Sequence, residues 1–200
     1  MKKILIVVDM QNDFAHPDGA LYVPGGETLT KPINRLIAVT DYEIIITTQD
    51  WHPENHYSFR ENGGEWPRHC VADTWGAEIT MAGFLGITEQ ANHYSVILKG
   101  TAAEDRNDYS GFSGRDRFMP EIGGIKEVVE YFGHSKDDDI IIEIVGLALD
   151  YCVKATAIDA AKLGFKTRVL LKYTKAVNIN PDDGEKAIRE MKAEGVEIIQ

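Results

Sequence analysis

Continuous runs of β-branched residues restrict the fold of this chain more than any other feature. In these runs Ile and Val follow one another without regular polar alternation, which is typical of strands buried on both faces. Such strands belong to parallel sheets that are covered by helices. The runs occupy residues 4–8, 43–48, 95–98, 140–145, 167–171 and 196–199.

Segments with helical character lie between these runs, at residues 31–40, 125–132, 153–163 and 183–194. The last two end directly before Gly164 and Gly195, and glycine is a common residue after the end of a helix. The alternation of strands and helices predicts an α/β fold with a doubly wound, mainly parallel sheet and helices on both faces. A chain of 200 residues fits one domain, so we expect residues 1–200 to form a single domain.

Charge and cysteine content limit the partners and the compartment that we expect. The net charge of −11 disfavours binding to nucleic-acid backbones and to acidic membrane surfaces. The apolar run near the N-terminus breaks at Asp9 without a cleavage site, and no run reaches the ~18 apolar residues of a membrane span. These features predict a cytoplasmic protein, in which Cys70 and Cys152 are more often free thiols than a disulfide.

Two long segments, residues 51–86 and 100–124, have little periodicity and are rich in Gly, Pro, His, Trp and Tyr. Long irregular loops in a compact domain usually carry function. In an open α/β sheet, ligands bind at the carboxyl ends of the strands. We therefore expect these loops to gather around a site at that edge.

Three side chains with catalytic potential follow predicted strands. Asp9 and Lys99 end the first and third runs, and Cys152 follows the fourth run at the start of a predicted helix. A helix N-terminus stabilises a thiolate or an oxyanion, and a nearby lysine lowers the pKa of a thiol. Together the three residues favour attack on an acyl group, with Asp9 as base and Cys152 as nucleophile.

Each of these residues also has a purely structural interpretation. Asp9 could be a loop or capping residue, and Lys99 could lie at the surface where its strand emerges. Cys152 could be a small buried apolar residue, as cysteine commonly is. Asp150, two residues earlier, could cap the helix that follows.

A carboxylate and several imidazoles form a second group of candidates. Asp50 ends a predicted strand, and Asp50 and His52 point to the same side of an extended chain. With His56 and His69 they could bind zinc, iron or manganese. Histidines in polar loops are more often solvated, so spacing alone leaves both interpretations open.

The order of the motifs resembles the nicotinamidase/pyrazinamidase branch of the isochorismatase-like cysteine hydrolases. The matching segments span nearly the whole chain: DMQNDF at 9–14, TTQDWHPENHYSF at 47–59, WPRHCV at 66–71, KGT at 99–101, YSGF at 109–112 and GLALDYCVKATAIDA at 146–160. The resemblance implies a parallel sheet flanked by helices, and hydrolysis of nicotinamide to nicotinate and ammonia. Pyrazinamide is expected to fit the same pocket.

The resemblance also assigns roles to particular residues. It implies a catalytic triad of Asp9, Lys99 and Cys152, and an oxyanion hole from the backbone N–H groups of Ala148 and Cys152 after a cis peptide bond at Leu147–Ala148. It implies one divalent metal ion, with zinc expected and iron or manganese as alternatives. The expected ligands are Asp50, His52 and His69, with His56 as a further candidate, and the expected substrate contacts are Phe14, Trp66 and Tyr109.

Other functions are compatible with parts of this pattern. The acidic stretch at residues 102–108 departs from the family pattern and could reshape the rim of the pocket. A related hydrolase of another amide or ureido compound would keep the triad without necessarily keeping the metal. A binding module without catalysis would keep the pocket, whereas a thiol redox protein would need a closely spaced cysteine pair that this chain lacks. The sequence leaves a homo-oligomer possible.

Overall fold

The computed structural model describes residues 1–80, 92–106 and 109–200. Within these residues, seven strands form one sheet in the order β4-β3-β2-β1-β5-β6-β7. The strands are β1 (Lys2–Val8), β2 (Ile44–Asp50), β3 (His93–Lys99), β4 (Arg115–Asp116), β5 (Ile140–Leu147), β6 (Thr167–Lys175) and β7 (Glu197–Ile199). The described pairings are parallel except that between β3 and β4, which confirms the expected mainly parallel sheet.

The helices of the described ranges agree with the predicted segments within one residue at each end, except for the first, which was not predicted. They are α1 (Asn12–Ala15), α2 (Thr30–Val39), α3 (Ile125–Tyr131), α4 (Lys154–Lys162) and α5 (Asp183–Ala193), with a π-helical turn at Leu149–Val153. Four short 3₁₀ helices lie in the described loops, at Gly26–Thr28, Arg60–Asn62, Trp75–Ala77 and Gly111–Ser113. After α4 the chain turns at Gly164, whose φ of 93° lies in the left-handed region, as the glycine there predicts.

Both faces of the sheet are buried under helices. Successive side chains of a strand point to opposite faces, so each central strand contributes residues to both cores. In β1, Ile4, Ile6 and Val8 pack in a core with residues of α3, α4 and α5. Leu5 and Val7 pack on the other face with residues of α2. Every central position of the strand is therefore apolar, which explains the continuous runs in the sequence.

The strand order reverses between β1 and β5, since β2 lies on one side of β1 and β5 on the other. At such a point the loops after two neighbouring strands diverge and leave a crevice at their carboxyl ends. The residues that follow β1 and β5 are Asp9 and the turn that carries Cys152. None of the helices in the described ranges is long and apolar enough to cross a membrane.

Candidate active site

Four neighbouring strands deliver the candidate catalytic groups to one edge of the sheet. Asp9 follows β1, Asp50 and Lys99 end β2 and β3, and Cys152 follows β5 by five residues. Asp50 and Lys99 are register partners, so their side chains start from adjacent positions. The structure thus brings the predicted triad together with one predicted metal ligand.

Lys99 connects the members of this group. Its side chain is fully buried, and its Nζ lies 2.9 Å from Oδ2 of Asp9 and 3.6 Å from Sγ of Cys152. The same ammonium donates a hydrogen bond to Oδ1 of Asp50. Two carboxylates compensate the cost of burying this charge, which excludes the surface interpretation of Lys99.

The electrostatics of the group follow from burial and from these contacts. Burial alone would lower the pKa of Lys99, but the charges of Asp50 and Asp9 outweigh it and raise that pKa well above its usual value. Burial raises the pKa of Asp9 despite the opposing charge of Lys99. For Asp50 the neighbouring Lys99 and His52 outweigh burial, and the pKa falls. Asp9 is therefore the carboxylate that binds a proton more readily.

The pKa of the Cys152 thiol differs from the lowered value that its position near a helix N-terminus predicts. Burial raises its pKa well above the usual value, and the charges of Asp9 and Asp50 oppose the stabilising effect of Lys99. The expected stabilisation of a thiolate by a helix N-terminus is therefore outweighed. The free thiol dominates at rest, and its proton needs an acceptor such as Asp9.

A tight turn presents Cys152 to the site. The peptide bond Leu147–Ala148 is cis, as the family resemblance implies. The carbonyl of Ala148 accepts hydrogen bonds from the N–H groups of Tyr151 and Val153, both at 3.1 Å, which closes a π-helical turn. Cys152 thus lies in a π turn that leads into α4, and both Ala148 and Cys152 line the pocket.

Two residues that the sequence analysis did not select hold Asp9 and Asp50 in place. The Thr48 hydroxyl accepts from the backbone N–H of Asp9 at 3.2 Å and donates to Oδ1 of Asp9 at 2.5 Å. Gln11 pairs its side-chain amide with the peptide groups of Asp50, since it accepts from the N–H at 2.8 Å and donates to the carbonyl at 2.7 Å. Both lie inside the quoted motifs, which is the only signal that could have identified them.

The predicted metal ligands Asp50, His52 and His69 form one compact group, with one ligand atom from each within 4.8 Å of the others. Oδ2 of Asp50 lies 3.6 Å from Nε2 of His52 and 3.9 Å from Nε2 of His69. The Nδ1 atoms lie 2.9 Å and 2.7 Å from the carbonyl oxygens of Gly100 and Pro67. Because a carbonyl only accepts, each Nδ1 carries the proton and each Nε2 presents a lone pair. This donor set fits a divalent cation.

His56 lies beside this group but is not a member of it. Its ring stacks on His52 with centroids 4.0 Å apart, and its Nδ1 lies 2.8 Å from Oγ of Ser58. Burial, with repulsion from His52, lowers the pKa of His56 to about 4. The geometry supports packing of a neutral imidazole against a candidate ligand.

A pocket opens beside Cys152 and the metal group. The predicted substrate contacts Phe14, Trp66 and Tyr109 all line it, and Nε1 of Trp66 donates to the hydroxyl of Tyr109 at 3.0 Å. Further lining residues that the sequence analysis missed are Leu21, Val23, Leu147, Tyr151 and Val177. The expected influence of residues 102–108 on the rim lies partly outside the described residues, since these omit 107–108.

A thiol, a lysine and a carboxylate beside a small aromatic pocket define a site suited to the hydrolysis of acyl compounds. The model of the Isochorismatase domain matches residues 3–200, and this chain belongs to that family. The nicotinamidase of Saccharomyces cerevisiae is 38% identical over an alignment that covers 98% of this chain and 99% of the yeast protein.

Solved structures agree with this relationship. The pyrazinamidase of Pyrococcus horikoshii, in a crystal structure with zinc, has a TM-score of 0.80 and 39% identity over 100% of this chain and 99% of its own. A protein of L. infantum, in complex with nicotinate, has a TM-score of 0.81 and 34% identity over 100% and 92% of the two chains.

Proposed function

We propose that this chain hydrolyses nicotinamide to nicotinate and ammonia, with pyrazinamide as a second substrate. The observation that carries the proposal is the buried contact of Lys99 with Asp9, Asp50 and Cys152 at the floor of an aromatic pocket. The likeness to nicotinamidases over nearly the whole chain supports the choice of substrate.

In the proposed reaction Cys152 is the nucleophile and Asp9 is the proton carrier. Asp9 takes the thiol proton while Sγ forms a bond to the carboxamide carbon. The ammonium of Lys99 stays protonated and stabilises the negative charge on Asp9 and on the developing thiolate. The raised pKa of Asp9 suits a group that must both accept and return a proton.

The negative charge of the tetrahedral intermediate falls on the former carbonyl oxygen. The backbone N–H groups of Ala148 and Cys152 are the proposed donors to this oxyanion, and one such donor is worth roughly 10²–10³ in rate. The C–N bond then breaks, and ammonia leaves with the proton that Asp9 held. A thioester on Cys152 remains.

Water completes the cycle. Asp9 takes one proton from the water as its oxygen attacks the thioester carbon, and the C–S bond breaks to release nicotinic acid, which loses its remaining proton to solvent and becomes nicotinate. The proton on Asp9 returns to the sulfur of Cys152, which restores the resting thiol.

Asp50, His52 and His69 would hold a divalent ion beside the pocket, and we propose zinc, with iron and manganese as alternatives for this mixed donor set. When bound, the ion supplies a Lewis acid that can anchor the ring nitrogen of the substrate. Phe14 and Trp66 would enclose the ring, and Tyr109 would hold Trp66 in place through its hydrogen bond. The free thiols of Cys70 and Cys152 support a reducing, cytoplasmic location.

The decisive experiment measures ammonia release from nicotinamide by purified protein, before and after chelation and again after zinc is restored. We expect release that chelation suppresses and metal restores. Cys152→Ala should release no ammonia, whereas Cys70→Ala, which alters the other buried thiol, should behave like the wild type. No release from the metal-replete wild type would reject the proposed substrate.

A further inference from the structure

The carboxylate of Asp150 lies two residues before Cys152 and is buried, at 5% exposure. It does not cap α4, as the sequence allowed, because the N-terminus of that helix has no side-chain cap. Its two oxygens instead accept hydrogen bonds from consecutive backbone N–H groups of a distant loop. Oδ1 accepts from Val177 at 2.9 Å, and Oδ2 accepts from Asn178 at 2.8 Å.

This loop forms part of the pocket. It follows β6, and Val177 lines the same pocket as Phe14, Trp66 and Cys152. Asn178 adopts a φ of 52°, and its side chain accepts from the N–H of Gly184 at 2.8 Å in the first turn of α5. The Asp150 carboxylate therefore connects the turn that carries the thiol to the loop that carries Val177, which forms one wall of the same pocket.

We propose that Asp150 is a positioning residue that fixes the Val177 wall relative to Cys152 and thereby sets the fit of a flat aromatic amide. This inference rests on the proposed function for its substrate. A carboxylate with two accepting oxygens matches two successive N–H groups, and hydrogen bonds to a charged acceptor are about twice as strong as neutral ones. Asparagine has the same shape but would turn an NH₂ group toward one of these N–H donors.

The test is Asp150→Asn, compared with Val177→Ala and with the double variant. We expect Asp150→Asn to raise the KM for nicotinamide roughly tenfold, as for a lost contact in a close-fitting pocket, while kcat changes by less than about threefold. The double variant should have nearly the same KM as Asp150→Asn. Once the Asp150 carboxylate no longer holds the loop, residue 177 is already displaced from the pocket, and truncating its side chain should change little more. Additive effects on KM would contradict the proposal.

Asp116→Asn is the matched control. Asp116 is also buried, and its Oδ1 accepts hydrogen bonds from two consecutive backbone N–H groups, those of Phe118 at 2.8 Å and Met119 at 2.7 Å. It does not line the pocket, so this variant should lower the melting temperature without changing KM. If Asp150→Asn also lowered only the melting temperature, Asp150 would be merely structural.

A measurement without substrate separates this inference from the proposed function. Amide hydrogen exchange at Val177 and Asn178 should accelerate at least tenfold in Asp150→Asn and stay at the wild-type rate in Asp116→Asn. Unchanged exchange in Asp150→Asn would overturn the positioning role even if the wild type releases ammonia. If exchange accelerates in Asp150→Asn but the wild type releases no ammonia from nicotinamide, the proposed substrate is rejected and the positioning role of Asp150 is retained.

Discussion

The two cysteines show how the surroundings of a residue decide its chemistry. Both are buried, and burial raises the pKa of both thiols. Cys152 borders the pocket and lies beside Lys99, whereas Cys70 is completely enclosed, with its Sγ 3.9 Å from the carbonyl of Gly76. Access to small reagents therefore differs between two residues of one type.

We predict that iodoacetamide modifies Cys152 and leaves Cys70 unmodified in the native protein. Since the thiolate is the reactive form and the pKa of Cys152 is raised, alkylation should be slow at neutral pH and accelerate as the pH rises. Peptide mass spectrometry measures the label. Cys152→Ala should take up none, Cys70→Ala should match the wild type, and label on Cys70 in folded protein would contradict the prediction.

The strand-end position made Asp9, Asp50, Lys99 and Cys152 predictable, because parallel strands place their carboxyl ends at one edge. Thr48 and Gln11 act through hydrogen bonds between segments that are distant in sequence, which strand and helix patterns do not record, so only the family motifs that contain them could have pointed to them. Val177 also comes from a segment that is distant in sequence from the rest of the pocket, so no local pattern identifies it as a lining residue. The roles of the predicted residues remain predictions until the variants are measured.

At the scale of elements, the close approach of β1 and β5 depends on a glycine. Gly146 has a φ of 106°, and a Cβ on it would lie 2.1 Å from the carbonyl oxygen of Val8. The pairing of β5 with β6 is irregular between Ile144 and Gly146. This glycine therefore allows β5 to turn toward Cys152 while it stays paired with β1.

Gly146→Ala should be far more destabilising than Gly133→Ala. Gly133 also has a positive φ, of 80°, but a Cβ there meets nothing within 4 Å. The backbone conformation alone costs about 1–2 kcal/mol for alanine, and the clash at Gly146 should add about 1–3 kcal/mol or more. Urea unfolding measures both, and equal losses would mean that β1 does not crowd Gly146.

The strand β5 contains a buried glutamate, Glu143, which the sequence analysis did not single out because it lies within an apolar run. Oε2 of Glu143 accepts from the Tyr42 hydroxyl at 2.8 Å, and Oε1 lies 3.1 Å from Nζ of Lys3. Tyr42→Phe should lower the free energy of unfolding by about 1.5–3 kcal/mol, because a buried carboxylate loses a donor. Thermal unfolding measures the loss, with Tyr131→Phe at an exposed tyrosine as the control that should change little.

The elements themselves were largely predictable from the sequence. Six strands and four helices follow from apolar runs and helical spacing, because burial on both faces determines residue type throughout a parallel sheet. The two-residue strand β4 is too short to leave a pattern, and α1 has only four residues. The cis peptide bond at Leu147–Ala148 was indicated only by the family resemblance.

At the scale of the whole molecule, two apolar cores on opposite faces of the sheet support the fold, and the proposed metal site lies at its edge. The loops that carry His52 and His69 are joined by backbone hydrogen bonds, from His52 N–H to the carbonyl of Cys70 and from Ala72 N–H to that of His52. The scaffold of the site thus does not depend on an ion for its connections.

Chelation should therefore lower the melting temperature without unfolding the protein at room temperature. Restoring metal at about 100 times its Kd should stabilise the fold by about 2.7 kcal/mol. Calorimetry with and without chelator measures the shift. His69→Ala should show a much smaller shift and Cys152→Ala the full one, while unfolding on chelation would show that the ion is structural.

The position of β5 between β1 and β6 also sets an order of events on the ribosome. The first three strands can pair as β3-β2-β1 once residue 99 has emerged, but the other edge of β1 has its partner only after residue 147. Until then the nascent chain presents an open, apolar strand edge, which favours contact with chaperones or with other chains. Because β5 also leads to Cys152, the candidate nucleophile joins Asp9 and Lys99 only when this open edge of β1 has been covered.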